Sequence, residues 1–497
     1  MTTHLNRTGG AARAVLSGVL SVVVVVAAAC KASDLEVTNP NAASPTGAIN
    51  DPTALQLLAT GLFTEQRTTR SGFITNAGVL GRESYTFSPQ EGRNVTHPLI
   101  GIVVGGVQKL DPTGFATGPW GGQYNLMRDV YNFKKVVEGS PALTTAQKAA
   151  ATGFARTLEA QMIFEIVQTH DTLGGITEVK EDPFELAPFV SRDSMYKFIL
   201  GSLDAAATNL AAGGTAFPFT FPPGFAGFNT PSTFLLFNRA LKAKAAAHYA
   251  TAGGGTAAWQ TALTALQASF LNAAATSRSA LDAGIYYTHA PSPDTPNPLS
   301  QATNTNLYAH VSFQTDAQLK ANGQPDDRYT AKIRTGLPSR QGPVTNDGPT
   351  TGASTLGFSI WPTTSSSMPQ IRNEELILIR AEARLATGDK AGAIADLNQI
   401  RTNSGGLPAT TLTPASSDDA ILTGILYEKR YSLMMEGVRW IDMRRYNKLN
   451  LLPLDVASGP NKNFVAKVNP VPQGECLVRA KATGDLLGPN NQNNCAP

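Results

Sequence analysis

The sequence predicts a mainly α protein of tetratricopeptide-like helix pairs with long loop-rich insertions, and three observations predict it. Apolar residues recur at three- and four-residue steps in segment after segment, the period of an amphipathic helix. The period-2 alternation of a half-buried strand is scarce. The stretch from Asn373 to Arg401 sets small Ala381 on one helix, Gly388 in a turn and small Ala393 on the next, with Leu397 and Ile400 facing back. Small residues at a helix crossing and a Gly at the turn are the mechanics of a tetratricopeptide unit. The Trp259, Ala262, Leu266 spacing is a weaker second instance.

The first element is an export signal. Arg7 and Arg13 precede a run from Ala14 to Ala29 that holds only apolar, Gly and Ser residues and ends in Ala27-Ala28-Ala29-Cys30. This is a charged n-region, an apolar h-region and a small-residue cleavage site. The run is 16 residues, short against the roughly 20 that a spanning helix needs. The match resembles a bacterial lipobox, with Ala27 where Leu is usual, so Cys30 is expected to carry a diacylglycerol thioether. With an amide-linked acyl chain, that makes the two-chain anchor stable attachment requires. The alternative is an ordinary secretory signal with a chance cysteine.

The leader contains two of the 40 basic residues and none of the 37 acidic ones, so the remainder is close to neutral. Interspersed charges without a basic face argue against nucleic acid as a partner. The other cysteines, Cys476 and Cys495, are a disulfide candidate in an oxidising compartment. Two cysteines without nearby histidines supply too few ligands for a metal.

Residues 31–50 are polar and Pro/Asn-rich and read as a tether. At roughly 5–6 Å × √n for a flexible chain, they allow about 25 Å of play. Helical spacing starts at Asp51 with Leu55, Leu58, Leu62 and Phe63, then gives way to a loop-rich stretch from Arg70 to Gly118. Further helices are predicted from Trp120 to Val137, from Thr145 to Thr169 behind a Thr cap, and over 192–212. Two more, Thr233 to Thr251 and Thr256 to Ala275, are joined by Gly253-Gly254-Gly255. Residues 285–368 break the pattern with Pro, Gly, Ser, Thr and Asn. A connection of that length is either functional or disordered. Helical spacing resumes from Gln370 to Arg401, breaks at Gly388-Asp389, and returns from Ser417 to Tyr446; the tail from Leu451 reads as irregular. The expected division is leader 1–29, tether 30–50, N-terminal helical region 51–284, loop-rich insert 285–368 and C-terminal region 369–497.

At this point the residues resemble a family. Glu374 to Ala383, reading EELILIRAEA, is similar to the "hLIRAEA" helix of SusD/RagB-type nutrient-uptake lipoproteins. Ala393 to Arg401 is similar to the family's "A-x-x-D-L-N-x-I-R". Glu428-Lys429-Arg430 and the run from Glu436 to Arg445 resemble its "ER…EG.R..DL.R" block, with Lys429 for the usual Arg and Ser432 for the usual Glu. Trp120, Tyr124 and Asn132 resemble the N-terminal "W…Y…N" helix, and Thr172 to Ile176 sits where the family has a "G-D-hP" loop. Asn469-Pro470-Val471-Pro472, Glu475 and Gln492-Asn493 resemble the tail. The resemblance implies an outer-membrane lipoprotein with tetratricopeptide-like pairs in a right-handed superhelix. It also implies a lid on a SusC-like TonB-dependent β-barrel transporter, binding an oligosaccharide or peptide, without catalysis or cofactor. Lys31 after the cysteine lacks the Asp that retains many lipoproteins at the inner membrane; Asp34 and Glu36 loosely echo a surface-export signal.

Other chemistry finds little support. Glu436, Arg439 and Asp442 are spaced by three, so ion pairing on one helix face is expected rather than acid/base work. Arg380 and Glu382 are read likewise. His97, His170, His248, His289 and His310 do not pair at metal-ligand spacing, and no hydrolase, zincin or phosphate-loop motif is present. A glycan site needs flat rings for sugar C–H faces and polar groups for hydroxyls. The candidates outside helices are Tyr85, Phe87, Tyr286, Tyr287, Tyr308 and Trp361, with Trp361 leading, and Asp326-Asp327-Arg328 as the polar cluster. Trp120, Trp259 and Trp440 are read as core. Two competing functions are a secreted glycoside hydrolase, which needs two carboxylates in one cleft, and a scaffold binding proteins only, against which the long insert argues.

Overall fold

The computed structural model describes residues 52–182, 184–291 and 294–483; the leader, Cys30, the tether and Cys495 lie outside the described residues. The fold is mainly α, and successive helices pack as tetratricopeptide-like pairs. Helix α1 is Pro52–Leu80, α2 Arg93–Leu99, α3 Gly121–Gly139 and α4 Thr145–His170. After these come α5 Arg192–Ala211, α6 Pro231–Tyr249 and α7 Gly255–Gln267. Beyond the insert lie α8 Asn373–Ala386, α9 Lys390–Gly405, α10 Asp418–Ser432, α11 Arg439–Arg445 and α12 Gln473–Thr483.

From α3 to α7 each helix packs on the next, as α8, α9 and α10 do, and α8 stacks on α6 and α7. The array is thus continuous across the insert. Helix starts are set by side-chain caps: Thr144 and Gln147 form a reciprocal capping box before α4, and Ser191, Asp389 and Ser417 cap α5, α9 and α10. Helix α4 is buried on every side from Leu158 to His170, so it shows no polar face.

Three expectations are corrected. Helix α1 does not end at Arg70 but runs on to Leu80. Phe73, Ile74, Ala77 and Leu80 continue the apolar spacing and enter the core, while Ser71, Gly72 and Gly78 disguise it. The helix expected from Ser417 to Tyr446 is two helices. Met435 (φ 57°) and Gly437 (φ 79°) turn the chain between them. A Cβ on Gly437 would stand 2.4 Å from Phe73 Cε1, so the turn presses against α1. Third, the tail carries α12, where no helix was expected.

The described part of the insert is folded and closed at its base. Strand β2 (Gly284–Tyr287) pairs antiparallel with β4 (Met368–Arg372), Tyr287 opposite Met368. Strand β1 (Ser84–Thr86) pairs antiparallel with β3 (Leu307–Ala309), tying the insert to the segment after α1. Trp440 lies in a core shared by α1, the insert and α11, its Nε1 donating to Ala466 O at 2.8 Å. Among the described residues no helix is long and apolar enough to cross a membrane.

Candidate functional site

Tyr286, Arg328 and Trp361, three of the predicted site residues, line one cleft of about 580 Å³. The β2–β4 pair sets Tyr286 opposite Pro369 and brings Arg372 to the same edge. A short helix, Asp327–Lys332, supplies Arg328 and Lys332; Asp326 caps it by accepting from Arg328 N at 2.9 Å. Ser404 at the end of α9 and Glu436 in the turn between α10 and α11 complete the cleft.

The inner wall is a closed ion-pair network. Arg372 Nη2 lies 2.7 Å from Glu436 Oε1, and Arg372 also pairs with Glu374. Glu374 Oε2 takes Arg278 Nη2 at 2.6 Å, while its Oε1 accepts from Ser404 Oγ at 2.5 Å and Ser432 Oγ at 2.7 Å. Burial alone would push the Glu374 carboxyl up, but Arg372 and Arg278 hold it well below the usual range. Arg328 is clamped by Asp326 at 2.6 Å and Glu428 at 2.7 Å. Burial and the neighbouring Arg372 push the Lys332 ammonium down to about 8; it donates to Tyr431 O at 3.0 Å and to Ser432 O.

The outer wall is different. Arg278, Asp282 and Asp327 keep roughly half of their side chains in solvent (47%, 43% and 52%), and Tyr286 is half-buried. Each carboxylate lining the cleft has a cation: Asp282 has Arg278, Asp327 has Lys320 and Glu436 has Arg372. Such groups can bond hydroxyls, and the ring offers a face for a sugar.

The remaining predicted residues lie elsewhere or are engaged, and the sequence reading of them is corrected. Tyr85 and Phe87 stack on each other at 4.7 Å inside a separate core, with Tyr308, and present no ring to solvent. The Tyr85 hydroxyl donates to Asp455 Oδ2 at 2.8 Å. Tyr287 is buried and accepts from Gln161 Nε2 at 3.0 Å. Asp326 is fully buried; its carboxylate serves Arg328, the helix cap and the Tyr427 hydroxyl, which donates at 3.0 Å. It fixes the loop rather than meeting a ligand. Trp361 borders the cleft but is only 2% exposed. Glu436, Arg439 and Asp442 do not pair with one another. Glu436 meets Arg372, Asp442 meets Lys429 and Arg445, and Arg439 Nε donates to Gly81 O at 3.1 Å. The kink before α11 takes Glu436 off the helix they were expected to share.

Sequence reasoning missed Arg278, Lys332 and Arg372. Arg372 stands two residues before the recognised helix block, a usable signal; Arg278 and Lys332 carry none. Cys476 is buried and disulfide-bonded. Among the described residues no group of three or more His, Cys, Asp or Glu side chains could hold a metal ion.

A family model described as the SusD family matches residues 248–474, a span that contains the whole cleft. Among solved structures, the chain is similar to a SusD superfamily protein from Bacteroides vulgatus ATCC 8482 (TM-score 0.63, 14% identity, covering 86% of this chain and 97% of that one). It is similar to a SusD-like carbohydrate binding protein from Bacteroides fragilis NCTC 9343 (TM-score 0.60, 14% identity, 87% and 99% covered). It is also similar to B. fragilis NanU (TM-score 0.58, 16% identity, 84% and 93% covered). At these identities the likeness establishes the fold. No curated protein matches the sequence.

Proposed function

Because this chain belongs to the SusD/RagB family, we propose that it is a glycan-binding lipoprotein that takes its ligand in the Tyr286 cleft. The observation that carries the reading is that the family-matched span alone supplies every wall of that cleft. Tyr286 stacks on a sugar ring, and Arg278, Asp282 and Asp327 bond its hydroxyls. Arg372, Glu374 and Glu436 hold the wall rigid behind them, so little ordering is needed when ligand binds. The carbohydrate-binding relative supports this ligand class.

The protein binds and does not catalyse. Every carboxylate lining the cleft has a cationic partner, which disfavours the proton-holding acid that glycoside hydrolysis needs. Lipid on Cys30 anchors it to the outer membrane, facing out, where it serves as the lid of a TonB-dependent β-barrel transporter and passes ligand inward.

The primary test is binding to a glycan and peptide array, followed by titration of hits against Tyr286→Ala. Loss of binding with an unchanged melting temperature is expected; turnover of any bound glycan would sink the non-catalytic reading. Labelling with radioactive palmitate should be lost in Cys30→Ser. Pull-down from membranes should recover a β-barrel partner; recovery of none refutes the lid.

A further inference from the structure

A second cavity, of about 500 Å³, lies against the C-terminal half of α1 and the segment leading into α3. It shares no lining residue with the Tyr286 cleft, and none of its lining side chains is charged. Three polar atoms of its lining residues are buried without a hydrogen-bond partner: Nε1 of Trp120, Oδ1 of Asn76 and Oγ1 of Thr86. They are a donor, an acceptor and a group that can do either. Buried polar atoms in a folded protein are nearly always paired, so three on residues that line one cavity call for a partner.

The cavity is built rather than incidental. Trp120 is 5% exposed. Its ring is fixed by edge contacts to Tyr124 (5.0 Å) and His170 (4.7 Å) and by stacking on Phe189 (5.7 Å). Asn469 Nδ2 donates to Ala116 O at 2.8 Å and holds the wall. Gly118 (φ 70°) lets that wall approach, since a Cβ there would stand 2.6 Å from Asn469 Cγ. Phe115 also lines the cavity and is 52% exposed.

We propose that this cavity is a second binding site, for an uncharged, hydroxyl-rich ligand of sugar size. The Arg93 guanidinium stacked on Phe115 at 4.7 Å is already paired with Glu91, so an ionised ligand would be desolvated here without a free countercharge. A purely apolar one would leave the three polar atoms unpaired. Sugar hydroxyls accept from Trp120 Nε1, donate to Asn76 Oδ1 and pair either way with Thr86 Oγ1, while a sugar ring lies on the face of Phe115 that Arg93 leaves uncovered. The volume falls in the usual range for small-molecule sites, about 300–1,000 Å³. The inference does not rest on the reading of the Tyr286 cleft.

The test is calorimetric titration of the full chain in detergent with glucose, maltose and cellobiose, and with glucuronate as the charged probe. In a Tyr286→Ala background at least one neutral probe should still bind, and glucuronate at least tenfold more weakly. Trp120→Phe removes the N–H together with the pyrrole half of a buried ring and so lowers the melting temperature as well, whereas Thr86→Val removes only the hydroxyl; each should weaken that binding tenfold or more, Thr86→Val with an unchanged melting curve. If Trp120→Phe fails to fold, Thr86→Val decides. The proposal is overturned if both variants bind as before, if glucuronate binds equally well, or if Tyr286→Ala abolishes all neutral-sugar binding. The last result would leave the Tyr286 reading standing and show a cavity that holds water only.

Discussion

Lys429 Nζ stands 2.7 Å from Asp442 Oδ2, joining α10 to α11 across the kink between them. The same ammonium lies 2.5 Å from Glu382 Oε1 on α8, and Arg445 closes the set on both carboxylates. Lys429 thus fills the place where the family block usually has Arg. Ser432, where it usually has Glu, donates to Glu374 at 2.7 Å and accepts from Arg328 at 2.9 Å. The two departures from the family pattern are absorbed by two separate buried networks, one around Glu382 and Asp442 and one around Glu374 and Arg328.

Removing Lys429 should therefore be costly. Its side chain is 4% exposed, and both of its partners are buried. Breaking a buried pair leaves uncompensated charge, typically about 3–5 kcal/mol. Lys429→Met should lower stability by about 3 kcal/mol in urea unfolding, because Arg445 still covers both carboxylates. A loss below about 1 kcal/mol would show that Arg445 suffices.

The buried carboxyls predict a stability profile with two slopes. Burial raises the Glu382 carboxyl, but Arg445 and Lys429 outweigh it and hold it at about 2, against an ordinary 4.5. Its folded value lies below the unfolded one, so its contribution is present above pH 4.5 and lost as pH falls towards 2. Glu83 has the opposite sign. Burial lifts it to about 7, only partly offset by Arg439 and the Met435 amide, and its Oε2 has no hydrogen-bond partner. Its contribution is complete below pH 4.5 and lost as pH rises through 7. Glu83→Gln should flatten the fall between pH 5 and 7, and Glu382→Gln the acid limb, in urea unfolding across pH. A Glu83→Gln profile that falls as steeply as wild type would refute this assignment.

Helices and their pairing were legible because they are local: the spacing through Leu55, Leu58 and Leu62, the Thr144 cap, and Ala381 against Ala393. What was not local was lost. Phe73, Ile74 and Ala77 carry the helical period past Arg70, yet Ser71 and Gly72 read as loop; only packing against Met435 and Trp440 decides that they are core. The site suffered in the same way. Loop position does not tell which rings face solvent. Tyr286 and Tyr287 are adjacent on β2, and alternation sends Tyr287 into the core and leaves Tyr286 at the cleft.

Gly437 tests whether the kink is needed. A side chain there meets a positive φ of 79° and a Cβ contact of 2.4 Å with Phe73 Cε1. The left-handed conformation costs roughly 1–2 kcal/mol, and overpacking about 1–3. Gly437→Ala should destabilise by about 3 kcal/mol in urea unfolding. A loss under about 1 kcal/mol would show that Phe73 yields.

Trp361 and Tyr286 should behave oppositely, although the sequence favours Trp361 as the ligand residue. Trp361 is 2% exposed and packs in the core around Trp440. Truncating a buried Trp typically costs about 3–5 kcal/mol. Trp361→Ala should therefore fall in stability by about that amount, and any loss of glycan affinity should follow the fraction unfolded. Tyr286 is half-buried, and its hydroxyl donates to Asp282 O at 2.5 Å, so the ring is held from one end with a face on the cleft. Base–aromatic stacking, a comparable ring contact, is worth about 1–3 kcal/mol on alanine substitution. By that scale Tyr286→Ala should weaken glycan binding by roughly tenfold or more, since 1.4 kcal/mol is tenfold, with stability changed by less than about 1 kcal/mol. Calorimetric titration and urea unfolding on both variants give a crossed result. Were Trp361→Ala to lose affinity at full stability while Tyr286→Ala bound normally, the ligand would have to reach a ring that this fold keeps buried, and the cleft would need to open on binding.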